Sequence, residues 1–172
     1  MRSIFSEEHE QFREQVRRFC EREIKPHYRE WEKAGHSPRA FWRKAGENGL
    51  LRTTIPTEYG GPGGGFLHSG VVTEEMVRGG ANLGMPVHSE MVSPYLLHYG
   101  SEELKQRLLP RLCRGEIIGS IGMTEPGTGS DLKNIRTNAV RDGDHWVLNG
   151  QKVWITNGFN CGVVLVACKT DP

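Results

Sequence analysis

Two stretches decide how this chain is read: Gly122-Met-Thr-Glu-Pro-Gly-Thr-Gly-Ser-Asp131 and, one hairpin later, Lys152-Val-Trp-Ile-Thr-Asn-Gly158. The first gathers Gly127, Thr128, Gly129 and Ser130 between Thr124 and Asp131, so that backbone N–H groups and hydroxyls converge on one ligand edge. That composition suits a phosphate or a polar heterocycle. The second reads as a strand whose alternate residues Trp154 and Thr156 share one face, an aromatic plane beside a hydroxyl donor. A flat ligand with a polar edge fits such a pair.

Each stretch alone also has a plain reading, the first as a surface loop and the lone tryptophan as core. The usual dinucleotide fingerprint is not met, because Leu132 stands where the third glycine belongs and the sequence leads into a strand, not a helix. No Walker-type lysine follows. The two stretches together, Met123 to Asp131 and then Leu148-Asn-Gly-Gln-Lys-Val-Trp-Ile-Thr-Asn-Gly158, closely resemble the flavin-contacting segments of the acyl-CoA dehydrogenase family. The helical N-terminal part and the helix start at Gly100-Ser-Glu-Glu103 resemble it too, nearest its long-chain members.

The resemblance implies an α+β fold: an all-α domain over 1–115, then a central, antiparallel β domain over 116–172, incomplete here. The family's C-terminal helical domain, which carries the catalytic glutamate, is expected to be absent. It also implies FAD as cofactor, with Ile121, Met123, Thr124, Gly129, Ser130, Trp154, Ile155 and Thr156 in contact with it and Ser130 also near the bound thioester. Thr124 would lie at the pyrimidine edge, Trp154 beside the dimethylbenzene ring and Thr156 toward N5. Reduction puts negative charge near N1 and C2=O, so donors there stabilise the reduced ring. Ile121 stands where several members have tyrosine, and Asn134 where a small residue is preferred. The implied reaction is α,β-dehydrogenation of a fatty acyl-CoA, with electrons passed to an electron-transfer flavoprotein and a homo-oligomeric full-length enzyme. No residue matches the family's base, so no catalytic residue is expected in this chain. An acyl-CoA oxidase, a flavin monooxygenase or a non-catalytic binding module on the same scaffold are the alternatives.

Composition narrows the rest. The 172 residues carry 22 basic and 21 acidic side chains for a net charge of +1, which gives no electrostatic case for nucleic acid or a membrane surface. Cys20, Cys113, Cys161 and Cys168 form no C-x-x-C pair, so reduced, mostly buried thiols are expected and no metal site. No apolar run approaches about 18 residues, and no targeting segment precedes the first helical pattern. An intracellular setting follows, bacterial cytoplasm or, for a processed eukaryotic form, mitochondrial matrix.

Along the chain, Ser6 is placed to cap a helix carrying Phe12, Val16, Phe19 and Cys20, which Pro26 ends. Tyr28 to Lys33 adds a turn or two closed by Gly35, and Ser37-Pro38 starts a helix with Phe41, Trp42 and Ala45 inward. The glycine-rich 55–65 is a loop. Leu67 to Val77 is a helix on which Glu74 and Glu75 form a solvated face. The apolar 82–99 holds His88 and His98 on opposite faces, which excludes a metal pair. In the resembling family this helix lines the acyl-chain pocket, with Gly84 and Pro86 leaving backbone space. Ser101 caps the next helix. Five strands are then expected, Ile117–Met123, Arg136–Val140, His145–Leu148, Gln151–Thr156 and Val163–Cys168, with hairpin signals at Asp142-Gly143, Asn149-Gly150 and Asn157-Gly158. The last strand is apolar on both faces and is expected to be buried on both.

Overall fold

The computed structural model describes residues 4–81 and 83–171. Helix α1 (Glu7–Phe19) starts where expected, Ser6 being its cap, and the Ser6 backbone N–H donates to His9 Nδ1 at 3.2 Å. Val16 and Phe19 are buried on its inner face. Its last turn widens into a π-turn, Cys20–Ile24, before Pro26, and α2 (Tyr28–Ala34) ends at Gly35 with φ +77°. That left-handed conformation is one a glycine adopts without steric cost.

Helix α3 (Arg39–Glu47) begins one residue later than the sequence suggests, with Pro38 as its extended cap. The Ser37 hydroxyl is used elsewhere: it accepts the indole N–H of the fully buried Trp42 at 2.9 Å. A buried indole N–H left unpaired would cost about 1–3 kcal/mol, which outweighs a cap on a solvated helix end. Phe41, Trp42 and Ala45 then join Val16, Phe19 and Ile24 in the main core.

Helix α4 (Phe66–Arg78) packs along α1, and here the expected solvated acidic face is corrected. Glu75 is buried, taking Arg13 Nη1 at 3.3 Å and Arg17 Nε at 3.0 Å, while Glu74 takes Arg13 Nη1 at 2.7 Å. Burial pushes the Glu75 carboxyl up, but the hydrogen bonds from Arg17 and Arg13 outweigh it and hold the group below the usual range.

Between these helices 55–65 is a loop with one short turn, Thr57–Tyr59. Its glycines are partly obligatory, since a Cβ at Gly61 would enter the Ile55 backbone. The 83–99 region is a π-turn, Val87–Val92, continuing as α5 (Ser93–Tyr99), where Pro94 sits in the first turn and breaks nothing. His88 is fully buried and His98 exposed, so the two do not converge. Helix α6 (Glu102–Cys113) is capped by Ser101, whose hydroxyl accepts the Leu104 N–H at 3.3 Å. Val92, Leu96, Leu109 and Leu112 form a second cluster with Ile55 and Ile117.

Four strands follow where five were expected: β1 (Gly119–Gly122), β2 (Asn138–Asp142), β3 (His145–Asn149) and β4 (Val163–Val166). The antiparallel expectation holds for β2 and β3, paired from Asn138↔Asn149 to Asp142↔His145 and turned at Gly143. In contrast β1 and β4 pair in parallel, Gly119↔Val163 to Gly122↔Val166, with the hairpin lying in the long connection that parallel pairing requires. Of the three hairpin signals only Asp142-Gly143 makes one. Strand β4 is half-buried, not enclosed on both faces, with Val164 and Val166 each 38% exposed. All four cysteines are free, Cys20 and Cys113 buried and the other two half-buried. No helix among the described residues is long and apolar enough to cross a membrane.

Candidate functional site

Residues 122–131 and 152–158 lie side by side. Val153 N–H donates to Thr124 O at 2.9 Å, Lys152 Nζ reaches Met123 O at 2.9 Å, and the Ser120 hydroxyl donates to Thr156 O at 2.6 Å. The second segment is therefore tied onto the end of β1. It is not a strand, which corrects the sequence reading: Gly150, Trp154 and Asn157 have φ of +153°, +57° and +67°, so the backbone reverses its hand three times. A pleated alternation cannot survive that, and Trp154 and Thr156 do not share a strand face. Both side chains are nonetheless exposed, with Trp154 at 90%. A non-glycine residue held left-handed with its indole in solvent is a feature that packing alone does not explain.

The glycine loop closes on itself. Glu125 and Thr128 exchange backbone hydrogen bonds at 2.9 and 3.1 Å, and the Thr128 hydroxyl donates to Asn134 O at 3.2 Å. Thr128 is thereby a buried structural residue, while a Cβ at Gly127 or Gly129 would meet nothing and Ser130 is exposed. Ile121, Met123, Thr124 and Ile155 are half-buried along the seam. The structure so places the eight sequence-selected residues, Ile121, Met123, Thr124, Gly129, Ser130, Trp154, Ile155 and Thr156, along two joined segments.

Glu125 is the knot that joins them. Its carboxylate takes Lys152 Nζ at 2.8 Å, the Arg136 N–H at 2.7 Å and the Thr137 N–H at 2.9 Å. The Lys152 ammonium above all, then Thr137 and Arg136, holds it well below the usual carboxylate range. A carboxylate with both oxygens committed in this way is a poor proton acceptor.

Three contributors escaped the sequence reading. Asn157 Nδ2 donates to Gly84 O at 3.0 Å and Gly119 O at 3.1 Å, bolting the 152–158 loop to the helical part. Its dipeptide with Gly158 reads as a turn, which hides this role. The backbone room at Gly84 is taken up by that contact, since a Cβ there would strike Asn157 Oδ1 and Thr156. His88 supports the other side of Gly119, accepting its N–H on Nδ1 at 2.8 Å. A backbone N–H only donates, so the proton of this imidazole sits on Nε2 and is given to Leu112 O at 3.1 Å. Burial first, then the nearby Arg52 charge, keeps His88 far below its ordinary pKa and hence neutral. Arg52 itself is fully buried with φ +56°, and burial pulls its guanidinium to about 9, still protonated at neutral pH.

An apolar cleft opens beside the π-turn, lined by Leu50, Val72, Met76, Leu83 and Met85, with the Thr53 hydroxyl in its wall. What the whole arrangement offers is a flat exposed aromatic surface, hydroxyl and N–H donors along one seam, and an apolar recess on the helical side. Those residues fit a planar heteroaromatic group with a polar edge.

Known proteins bear on that fit. The description "Acyl-CoA dehydrogenase, N-terminal domain" matches residues 6–116, and "Acyl-CoA dehydrogenase, middle domain" matches 120–172. A long-chain specific acyl-CoA dehydrogenase, mitochondrial, of Sus scrofa is 48% identical over 172 residues, covering 99% of this chain and 40% of that protein. The crystal structure of an acyl-CoA dehydrogenase from Geobacillus kaustophilus superposes with a TM-score of 0.96 at 50% identity, covering 99% of this chain and 45% of the other. A glutaryl-CoA dehydrogenase from Mycobacterium smegmatis, solved in complex with FADH2, gives 0.92 at 33% identity, covering 98% of this chain and 44% of that one. The chain thus spans less than half the length of these relatives.

Proposed function

Since this chain belongs to the acyl-CoA dehydrogenase family, we propose that it forms the FAD-holding front of an enzyme that dehydrogenates fatty acyl-CoA thioesters at the α,β bond. The helical part, 1–115, and the strand-bearing part, 116–172, act as its two domains. One observation carries this reading: two motifs about thirty residues apart are joined at Thr124 and Val153 beside an exposed Trp154. When bound, FAD supplies the hydride acceptor.

The chain's own residues bind and orient. Trp154 offers its ring face for stacking, Thr124 and Ser130 offer hydroxyls to the polar edge and pyrophosphate, and the Thr156 hydroxyl donates toward the hydride-accepting atom. Gly129 leaves its backbone N–H open to approach, and Ile121, Met123 and Ile155 supply apolar walls. Ser130 also faces the thioester. The cleft lined by Leu83 and Met85 takes acyl carbons, in keeping with the long-chain relative. Glu125 is excluded as the base by its three hydrogen bonds, so proton removal from the α-carbon falls to a residue beyond this chain. Electrons leave to an electron-transfer flavoprotein, and the complete enzyme works as a homo-oligomer in a bacterial cytoplasm or mitochondrial matrix.

Flavin fluorescence titration tests this directly. The protein is expected to quench FAD on binding, and Trp154→Ala to weaken binding by about 1 kcal/mol through lost stacking. FAD affinity unchanged by both Trp154→Ala and Thr156→Val would overturn the site.

A further inference from the structure

Five described side chains that carry charge are buried, and four of them are neutralised: Arg13 and Glu75 by each other, Glu125 and Lys152 by each other. Arg52 has no carboxylate. Its Nη1 is hydrogen-bonded to the Ser93 hydroxyl, and its Nη2 has no partner. Its Nε lies 3.3 Å from His88 Nε2, but that nitrogen carries the proton given to Leu112, so it has no lone pair to offer. A lone buried cation is among the most unfavourable things a fold can contain. Arg52 adds a left-handed backbone, φ +56°, where a glycine would sit freely. Two costs at one residue point toward a use.

Its position suggests the use. Arg52 Nη2 lies 3.2 Å from where a Gly119 side chain would begin. The Gly119 carbonyl is held by Asn157, and the next residue, Ser120, holds the Thr156 carbonyl. The guanidinium therefore stands one backbone layer beneath the loop that presents Trp154 and Thr156. In a dry interior with no counter-charge, a unit charge is felt across such a gap.

We propose that Arg52 is a buried positive charge kept for the flavin site, where its field favours the negatively charged reduced flavin over the oxidised one. It touches neither cofactor nor substrate and acts through the medium alone. The inference rests on the flavin reading above.

The test compares Arg52→Met, which removes the charge at similar volume, with Arg52→Lys, which keeps it. In the flavin-loaded protein, Arg52→Met is expected to weaken binding of reduced relative to oxidised flavin about tenfold, lowering the midpoint potential by about 30 mV for a two-electron couple, while Arg52→Lys stays near the parent. Without cofactor, Arg52→Met is expected to melt no lower than the parent, because an uncompensated charge has been replaced by an apolar chain. A flavin-holding protein whose potential ignores Arg52→Met would sink this inference alone. So would a large fall in the melting temperature of cofactor-free Arg52→Met, which would make Arg52 a structural tether. A parent protein that holds no flavin would sink the functional reading, and the inference with it.

Discussion

The helical and strand-bearing parts of this molecule are held together by different forces. Around Trp42, Phe19, Ile24 and Leu50 the helices enclose large apolar side chains almost completely, whereas in β2 and β3 Val140, Trp146, Val147 and Leu148 are all substantially exposed. A lone two-stranded hairpin of that kind is marginal in water. What fixes the strand-bearing part is a set of directed polar ties: Glu125 to Lys152, Arg136 and Thr137, and Asn157 to Gly84 and Gly119. One part is stabilised by area, the other by geometry.

Mutations test that contrast, beginning with the most damaging. Trp42→Ala should cost about 3–5 kcal/mol in denaturant unfolding, because no neighbour can fill the space of a fully enclosed indole. A loss under 1 kcal/mol would mean that the helical core is not close-packed.

Glu75→Gln should cost about 2–4 kcal/mol, since Arg13 then lies buried with only Glu74 and Glu10 to answer it. The pH dependence has a definite sign. Glu75 has a folded pKa below its unfolded value, so its contribution is present above the unfolded carboxylate range and is lost as pH falls through the folded value. Acid unfolding curves of parent and variant should therefore converge at low pH.

Ser37→Ala should cost about 1–2 kcal/mol by orphaning the Trp42 indole N–H. Trp154→Ala should change stability by no more than about 0.5 kcal/mol, its side chain being almost wholly in solvent. Unchanged stability with lost flavin binding would separate function from folding at that residue. Glu125→Gln sharpens the contrast locally: hydrogen exchange at the Arg136 and Thr137 amides should rise while amides of α1 and α4 keep their protection. Uniform loss of protection in both parts would show that the two are one cooperative unit.

Much of this was legible in the sequence, and the failures share a cause. Helix positions followed from apolar spacing at Val16 and Phe19 or at Phe41, Trp42 and Ala45, and the two site motifs were recognisable by wording and spacing. The 151–156 segment misled because Val153 and Ile155 alternate with Trp154 and Thr156 in perfect strand fashion. Nothing in that alternation encodes positive φ at Trp154 and Asn157, which is imposed by ties to β1. Glu75 was misread because its partners lie 58 and 62 residues away, beyond any local pattern. Arg52 carried no signal at all, since an arginine is expected at the surface.

The π-turn Val87–Val92 has a consequence for how this protein can vary. It holds one more residue than an α-helix would over the same rise, and that extra residue lets His88, Ser89, Val92 and Ser93 all point inward. Deleting any single residue here would restore an ordinary helix and turn everything upstream by about 100° relative to α5. His88 would swing away from Gly119, and β1 would lose its footing on the helices. Lengthening or shortening by one is thus forbidden in this stretch, although the loop at 55–65 a few residues earlier in space is built of the turn chemistry that usually tolerates such changes. A single-residue deletion scan across 83–99 should read out as a sharp trough centred on the turn.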